Sequence, residues 1–269
     1  MRRRYLALVL AAAATALTAV AAPAVGDPLD VPPPGANNWS CKPTAEHPDP
    51  VVLVNGTFEN MAKNWSTLAP KLADAGYCVF ALNYGDNATA PVADSARELA
   101  PFLDKVLSAT GAQKVDIVGH SQGGMLPRYN IKYLNAAGKV DDLVGIVPSN
   151  HGTDNPGAFV TGATLCPACA DQQTGSPFLT DLNAGGDTLP GPDYTVITTR
   201  NDEVVTPYTS AFLEGPEQQV TNVTLQDQCP LDVFEHDQTP NDPVVAQWVI
   251  HALGRQGPAD PGYKPKCLL

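Results

Sequence analysis

The sequence predicts an α/β fold with a mostly parallel central sheet and helices on both of its faces. Short apolar runs alternate with longer segments of helical periodicity along the 269-residue chain. Strand followed by helix, repeated several times, is typical of a parallel sheet that is covered on both sides. No linker rich in Ser, Gly or Pro divides the chain, so residues 25–269 are predicted to form a single domain.

Six apolar runs are the predicted strands, and four periodic segments are the main predicted helices. The strands are Val51–Val54, Tyr77–Leu82, Lys114–Val118, Leu143–Val147, Tyr194–Thr199 and Thr221–Leu225. The helices are Trp65–Ala75, Val92–Thr110, Met125–Ala137 and Val244–Leu253. Asp242 is the predicted cap of the last helix, with Pro243 in its first turn. The loops after the carboxyl ends of parallel strands converge at one edge, where we expect the functional residues.

The region from Asn150 to Gly191 departs from this alternation. It is rich in Gly, Pro, Cys and Asp, and its one predicted helix, Pro177–Asn183 with Ser176 as cap, is short. A loop of this length inside a compact domain often covers or lines a binding site. We therefore expect an insertion around residues 151–190 that serves as a lid or pocket wall, the alternative being an exposed loop without such a role.

The first 24 residues have the pattern of a secretory signal peptide. Three arginines, Arg2 to Arg4, precede the alanine-rich apolar stretch Tyr5–Val20, and Ala22-Pro23-Ala24 is a small-x-small cleavage sequence. The apolar stretch is too short and too rich in alanine to favour a transmembrane anchor. Both the twin-arginine and the Sec export routes fit the pattern. We expect an extracellular protein of about 245 residues.

The chain is acidic, with a formal net charge of -12 that becomes about -15 when the three N-terminal arginines are removed. It has no basic stripe. This charge argues against binding to nucleic acid or to anionic lipid, and it favours a soluble protein with a neutral substrate. We expect a monomer.

Cysteines in an exported chain are expected to pair as disulfides, although many connectivities are possible. The six are Cys41, Cys78, Cys166, Cys169, Cys229 and Cys267. Cys41 and Cys78 lie near the first two predicted strands, and Cys229 and Cys267 lie before the last loop and in the tail. Cys166 and Cys169 are then left to pair with each other. A redox dithiol or half of a zinc site is the alternative for this pair. No second CxxC or nearby His pair completes a metal site in the sequence, so we predict none.

A G-x-S-x-G pentapeptide, Gly119-His120-Ser121-Gln122-Gly123, lies between the third predicted strand and the helix that follows it. A serine hydroxyl is a weak nucleophile unless a tight turn presents it and a base takes its proton. Small residues on both flanks permit such a turn. An ordinary glycine-rich turn is the alternative, but the strand before and the helix after favour Ser121 as a nucleophile.

A serine nucleophile requires a general base, and the sequence contains five histidines. His120 belongs to the turn itself, His251 lies within the last helix and His47 precedes the first strand. His151 follows the fourth strand at the correct edge and remains an alternative. His236 is preferred because its loop lies between the last strand and the last helix, where an imidazole can reach over the sheet edge.

The base in turn requires an acid that orients it and stabilises its protonated form. Asp202 follows the fifth predicted strand and is the preferred acid. Its neighbour Glu203 has the same charge and is the runner-up. We prefer Asp202 because Val204 and Val205 then form an apolar wall beside the acid.

The turn after the first predicted strand, Asn55-Gly56-Thr57, is a candidate oxyanion hole. Its glycine lets the backbone approach a substrate oxygen. The N–H groups of Thr57 and Gln122 would then face the negative charge that develops there. The tripeptide is also an N-glycosylation sequon, an interpretation that we reject because a glycan would block the pocket.

With these motifs the chain resembles the secreted lipases and esterases of the α/β-hydrolase superfamily, in particular the bacterial class 2 triacylglycerol lipases and the related fungal lipase B type. The order of Ser121, Asp202 and His236 is that of α/β-hydrolases. The resemblance extends from about Cys41 to Cys267. It rests on Asn55-Gly56-Thr57, Gly119–Gly124, Asp202–Val205 and Cys229-Pro230-Leu231 before His236. Many relatives carry His-Gly where this chain has Asn55-Gly56.

The resemblance implies an α/β-hydrolase fold and hydrolysis of neutral acyl esters, such as triacylglycerols, without a cofactor. It also implies that Cys41 pairs with Cys78 and Cys229 with Cys267.

The apolar residues predicted to form the acyl pocket are Phe58, Met125, Leu126, Phe178, Leu179, Val204 and Val205. An acyltransferase or peptidase with the same triad, and a catalytically silent binding protein of the same fold, are the alternatives.

Overall fold

One parallel sheet of six strands, in the order β2-β1-β3-β4-β5-β6, organises the computed structural model, which describes residues 30–155 and 165–267. The strands are β1 (Val51–Val54), β2 (Val79–Leu82), β3 (Val115–His120), β4 (Val140–Ile146), β5 (Asp193–Thr198) and β6 (Val220–Thr224). Every neighbouring pair is parallel. All carboxyl ends therefore meet at one edge of the sheet. The predicted signal peptide lies outside the described residues.

Helices connect these strands. They are α1 (Met61–Asn64), α2 (Leu68–Asp74), α3 (Gly85–Ala88), α4 (Val92–Thr110), α5 (Gln122–Tyr133), α6 (Pro167–Asp171), α7 (Pro177–Asn183), α8 (Leu225–Gln228) and α9 (Pro243–Leu253). Short 3-10 turns occur at Tyr208–Ala211 and His236–Asn241. Within the two described ranges, no helix has both the length and the apolarity needed to cross a bilayer.

The predicted alternation of strands and helices is confirmed, with differences at the boundaries. Strand β4 begins at Val140, three residues before the prediction, because Val140 pairs with Val115 of β3. The helix predicted from Met125 begins three residues earlier, at Gln122 within the pentapeptide. The predicted caps are present: the Ser176 hydroxyl accepts from the N–H of Leu179, and the Asp242 carboxylate accepts from the N–H of Val244.

Apolar side chains cover both faces of the sheet. Alternate residues of β1 belong to different clusters, since Val52 and Val54 face one side and Val51 and Leu53 the other. The first cluster is completed by α4 and α5, and the second by α2 and α9. The strands are buried on both faces, which is why they appear in the sequence as continuous apolar runs.

Three disulfides are present, and their pairing confirms the prediction. Cys41–Cys78 links the segment before β1 to the start of β2. Cys166–Cys169 closes a short loop at the start of α6, within the insertion. Cys229–Cys267 links the C-terminal segment to the loop that leads to His236.

Candidate active site

Ser121 occupies a strained turn at the carboxyl end of the central strand β3, with φ 54° and ψ -123°. A positive φ is uncommon for a residue with a side chain, and it persists only where the surroundings impose it. Here they do, because β3, α5 and β1 pack without room for further atoms. A Cβ on Gly119 would overlap the carbonyl of Gly123, and a Cβ on Gly123 would overlap the carbonyl of Val54. The glycines of the motif are thus explained by close backbone packing.

His236 and Asp202 form a buried pair at the same edge. The Nδ1 atom of His236 lies 2.9 Å from both carboxylate oxygens of Asp202. Asp202 Oδ1 also accepts from the N–H groups of Val204 and Val205, at 2.9 and 2.8 Å. Because a carboxylate accepts only, Nδ1 carries the proton and Nε2 is left as a proton acceptor. Glu203, the alternative acid, is exposed.

Ser121 and His236 line one cavity of about 190 Å³. Loops that follow β1, β3, β5 and β6 form its walls. The other lining residues are Gly56, Thr57, Phe58, Glu59, His120, Val204 and Asp237. The structure thus brings the predicted nucleophile, base and oxyanion turn to a single cavity, with Asp202 behind the base.

His120 connects three of the loops around this cavity. Its Nε2 lies 3.0 Å from the carbonyl oxygen of His236, so Nε2 donates and Nδ1 accepts from the Asn64 amide at 3.1 Å. The Asn64 side chain in turn accepts from the N–H of Gly56 at 2.9 Å. Burial, together with the nearby His236, lowers the pKa of His120 to about 3, so the ring is neutral. The sequence indicated only that His120 lies beside the serine.

The side chains of Thr57 and Gln122 are locked together by a third residue. The Thr57 hydroxyl donates to Gln122 Oε1 at 2.7 Å, and Gln172 Nε2 donates to both of these oxygens at 3.0 Å. Gln172 Oε1 accepts from the hydroxyl of Ser149 at 2.8 Å. Gln172 is fully buried. Its role was not predicted from the sequence, because its partners lie far away along the chain.

The backbone N–H groups of Thr57 and Gln122 are available to a ligand. Gln122 is the first residue of α5, where an N–H has no partner within the helix. Among the described residues, neither N–H takes part in a backbone hydrogen bond. The positive end of the α5 dipole adds to the preference for a negative oxygen at this position.

Only two of the predicted acyl-pocket residues, Phe58 and Val204, line this cavity. Met125, Leu126, Leu179 and Val205 are buried in the apolar core, and Phe178 stacks on Tyr129 with ring centroids 5.8 Å apart. Two residues that were not predicted to contact substrate, Leu231 and Val233, are 74% and 78% exposed in the loop before His236. They line a neighbouring, largely apolar cavity of about 300 Å³.

His151, the alternative base, lies outside the cavity of Ser121. Its Nδ1 contacts the carbonyl oxygen of Ser210 at 3.0 Å, and its Nε2 contacts Asp187 at 3.1 Å. Both partners are acceptors, so both ring nitrogens donate. The hydrogen bond to Asp187 raises the pKa of His151 and favours the charged ring. A doubly protonated imidazole cannot take a proton, which argues against His151 as the base.

The parallel sheet with its nucleophile turn at the end of β3 is the α/β-hydrolase fold. Residues 48–249 match the family model described as "Lipase (class 2)", and the chain belongs to this family. A triacylglycerol lipase of Pseudarthrobacter phenanthrenivorans is 35% identical over 86 residues, which are 30% of this chain and 27% of that protein. Lipase B of Pseudozyma antarctica is 26% identical over 227 residues, which are 80% of this chain and 64% of the relative.

The crystal structure of Aspergillus fumigatus lipase B is similar in fold. It superposes with a TM-score of 0.75 at 23% identity and covers 87% of this chain and 61% of the other. The chain therefore spans about a quarter of the Pseudarthrobacter lipase and less than two thirds of each lipase B.

Proposed function

We propose that this chain is a serine hydrolase of carboxylic esters, a lipase or esterase that acts through an acyl-enzyme. The observation that carries this proposal is the pair of His236 and Asp202 in the cavity that Ser121 lines. Membership of the class 2 lipase family supports an ester as the substrate. The proposed catalytic residues are Ser121, His236 and Asp202.

The reaction begins when Ser121 Oγ attacks the ester carbonyl while His236 Nε2 takes the hydroxyl proton. Asp202 holds the ring in the required tautomer and stabilises its charged form. The carbonyl oxygen becomes an oxyanion that accepts from the N–H groups of Thr57 and Gln122, and loss of one such donor typically costs about 2.7–4 kcal/mol. When the ester C–O bond breaks, His236 returns the proton to the leaving alcohol. Water then releases the acid by the same steps.

We propose a neutral acyl ester, including triacylglycerol, as the substrate class. Phe58 and Val204 present apolar surface next to Ser121, and Leu231 and Val233 extend it beside the histidine loop. The net charge of -12 disfavours an anionic substrate. A role in the acyl pocket for the remaining predicted residues stays a prediction. These residues are Met125, Leu126, Phe178, Leu179 and Val205.

We propose that the insertion around residues 151–190 forms a wall of the active site. Gln172 contributes buried hydrogen bonds to the oxyanion turn. Arg128 of α5 donates to the Asn183 side chain at 2.7 Å and to the Asp187 carbonyl at 2.9 Å. These contacts join the insertion to the helix that follows the nucleophile.

The extracellular location is also a proposal. The signal-peptide pattern of residues 1–24 supports it, as do the three disulfides, because such bonds persist in oxidising compartments. We further propose that the protein is a monomer. Recovery of the protein from the culture medium tests the first proposal, and sedimentation of the recovered protein tests the second.

The decisive experiment is Ser121→Ala, assayed with a p-nitrophenyl acyl ester. We expect hydrolysis to be abolished while the circular dichroism spectrum is unchanged, and exposed Ser40→Ala serves as the control. Full activity in Ser121→Ala would contradict the assignment. An ester series from acetate to long acyl chains, run below and above the solubility limit, distinguishes an esterase from a lipase.

The alternative functions give different results in simple assays. An acyltransferase would form a new ester when an alcohol acceptor is added, and a peptidase would cleave members of a peptide panel. A silent binding protein would not react with a fluorophosphonate serine probe.

A further inference from the structure

The amino edge of the sheet, opposite the candidate active site, carries a group of acidic side chains. Asp116 lies in β3, Asp141 and Asp142 lie in β4, and Asp49 precedes β1. Because β1, β3 and β4 are neighbours, these residues meet. One carboxylate oxygen from each of Asp49, Asp116 and Asp141 lies within 4.8 Å of the others.

These side chains line a cavity of about 400 Å³, which we call the amino-edge cavity. Its other lining residues are Glu46, His47, Pro48, Tyr77, Leu253, Gly254, Arg255 and Gln256. Positive charge there is limited. Lys114 contacts Asp141 at 2.7 Å, and Arg255 is the basic residue in the cavity wall.

Two almost completely buried polar groups in this cavity lack a partner from the chain. Asp142 and Tyr77 are each only 4% exposed, yet among the described residues neither Asp142 Oδ1 nor the Tyr77 hydroxyl forms a hydrogen bond. Nδ1 of His47, in the same wall, is also buried without a partner. A buried polar atom without a partner destabilises the folded chain, because it has lost its hydrogen bonds to water. Several such atoms around one acidic cavity indicate a ligand that offers positive charge to oxygen atoms.

We propose that the amino-edge cavity binds a calcium ion through Asp49, Asp116 and Asp141, with oxygen atoms of Asp142 and Tyr77 beside it. Oxygen donors select hard cations. Calcium–oxygen distances of about 2.3–2.6 Å place opposite ligands roughly 4.6–5.2 Å apart, whereas magnesium holds them at about 4.2 Å. The carboxylate oxygens of Asp49, Asp116 and Asp141 all lie within 4.8 Å of one another, so one calcium ion can contact all three.

The ion joins β3, β4 and the segment before β1, at the end of the sheet away from Ser121. It therefore stabilises the fold and takes no part in ester hydrolysis. The site does not depend on the proposed function, because its ligands and its readout are separate from those of the active site.

Thermal unfolding of the full chain tests the site. We expect roughly 10 mM CaCl₂ to raise Tm by about 3–10 °C over EDTA, as for extracellular sites of millimolar to sub-millimolar affinity. Magnesium at the same concentration, and NaCl at the same ionic strength, should give a clearly smaller shift. Equal shifts with all three salts, or no shift with calcium, would overturn the proposal.

A matched pair of variants locates the effect. Asp141→Asn removes a ligand that is 44% exposed, so the fold should tolerate it, and we expect the calcium-dependent shift to disappear. Asp104→Asn is the control, because Asp104 forms a similar exposed ion pair with Lys139 outside the cavity, and it should keep the shift. Terbium luminescence excited through aromatic rings and displaced by calcium gives an independent readout. A calcium shift that persists in both Asp141→Asn and Asp116→Asn would place the ion elsewhere and refute the site.

Discussion

Replacing Asp202 by Asn tests how the base is oriented. Asp202 Oδ1 accepts from two backbone N–H groups, those of Val204 and Val205. An amide at this position keeps its oxygen there, because its NH₂ group cannot accept from either. The NH₂ group then takes the place of Oδ2 and donates to Nδ1 of His236. That contact favours the tautomer of His236 that carries its proton on Nε2, which cannot accept a proton from Ser121, even though the oxygen kept at the Oδ1 position also lies within reach of Nδ1.

The size of the effect follows from these contacts. Turning the amide around would lose two backbone hydrogen bonds and leave two buried donors unpaired, at a cost of roughly 2–4 kcal/mol. The tautomer of His236 with its proton on Nδ1, which can accept a proton from Ser121, is then a minor population. The protonated ring also loses its carboxylate partner, an interaction worth roughly 1.5–3 kcal/mol. Together these terms predict a fall in kcat of about 10³–10⁴-fold, similar to that for the same exchange in serine proteases.

Initial rates with p-nitrophenyl butyrate measure this effect, with circular dichroism to check folding. Glu203→Gln is the matched control, because it removes the neighbouring exposed carboxylate and should leave kcat unchanged. If Asp202→Asn kept more than about a tenth of the activity, the tautomer argument would be wrong. If Glu203→Gln lost the activity instead, the acid would be Glu203.

Three further predictions follow from packing, burial and hydrogen bonding. Gly119→Ala should lower Tm by roughly 6 °C or more, or prevent folding, because the added methyl group overlaps the Gly123 carbonyl. Gly138→Ala is the control and should leave Tm unchanged, because a Cβ added there would have nothing within 4 Å. Equal Tm values for the two variants would contradict the packing argument. The folded-state pKa of His120, about 3, lies below its unfolded value, so the unfolded chain binds a proton first as pH falls below 6.5. The free energy of unfolding should therefore fall between pH 6.5 and 3, by about 1.4 kcal/mol per pH unit from this residue, and urea unfolding of His120→Gln should lack that contribution. Gln172→Met should lower kcat about tenfold with little change in KM, because it removes the hydrogen bonds that hold the side chains of Thr57 and Gln122. The matched control is Gln173→Met, at a partly buried neighbour. An unchanged kcat in Gln172→Met, or an equal loss in Gln173→Met, would exclude a specific positioning role for Gln172.

The sheet and the positions of Ser121, Asp202 and His236 were predictable because each has a local signal. Each strand is a short apolar run, and each of the three residues follows a strand in a recognisable motif. The start of β4 was not predictable in this way, because Asp141 and Asp142 interrupt its apolar run. Those acids are tolerated within a strand because they face the amino-edge cavity.

Features that depend on contacts between residues distant in the sequence could not be predicted from the sequence. Gln172 meets Gln122 and Thr57 only after the insertion folds back over the sheet edge, and nothing near Gln172 in the sequence indicates its partners. Apolar pocket and core residues also share the same composition. The sequence therefore could not tell Phe58, which lines the cavity, from Met125, which is fully buried.

The backbone of Ser121 has a further consequence for how this protein can change. A residue with a side chain at this φ typically lowers the free energy of unfolding by about 1–3 kcal/mol, whereas glycine adopts the same φ without strain. The chain is thus less stable with its nucleophile than it would be without it. Random mutagenesis followed by selection for heat resistance alone should therefore favour replacement of Ser121, which would also remove the proposed catalytic activity. Selection for robustness must therefore be coupled to a screen for turnover.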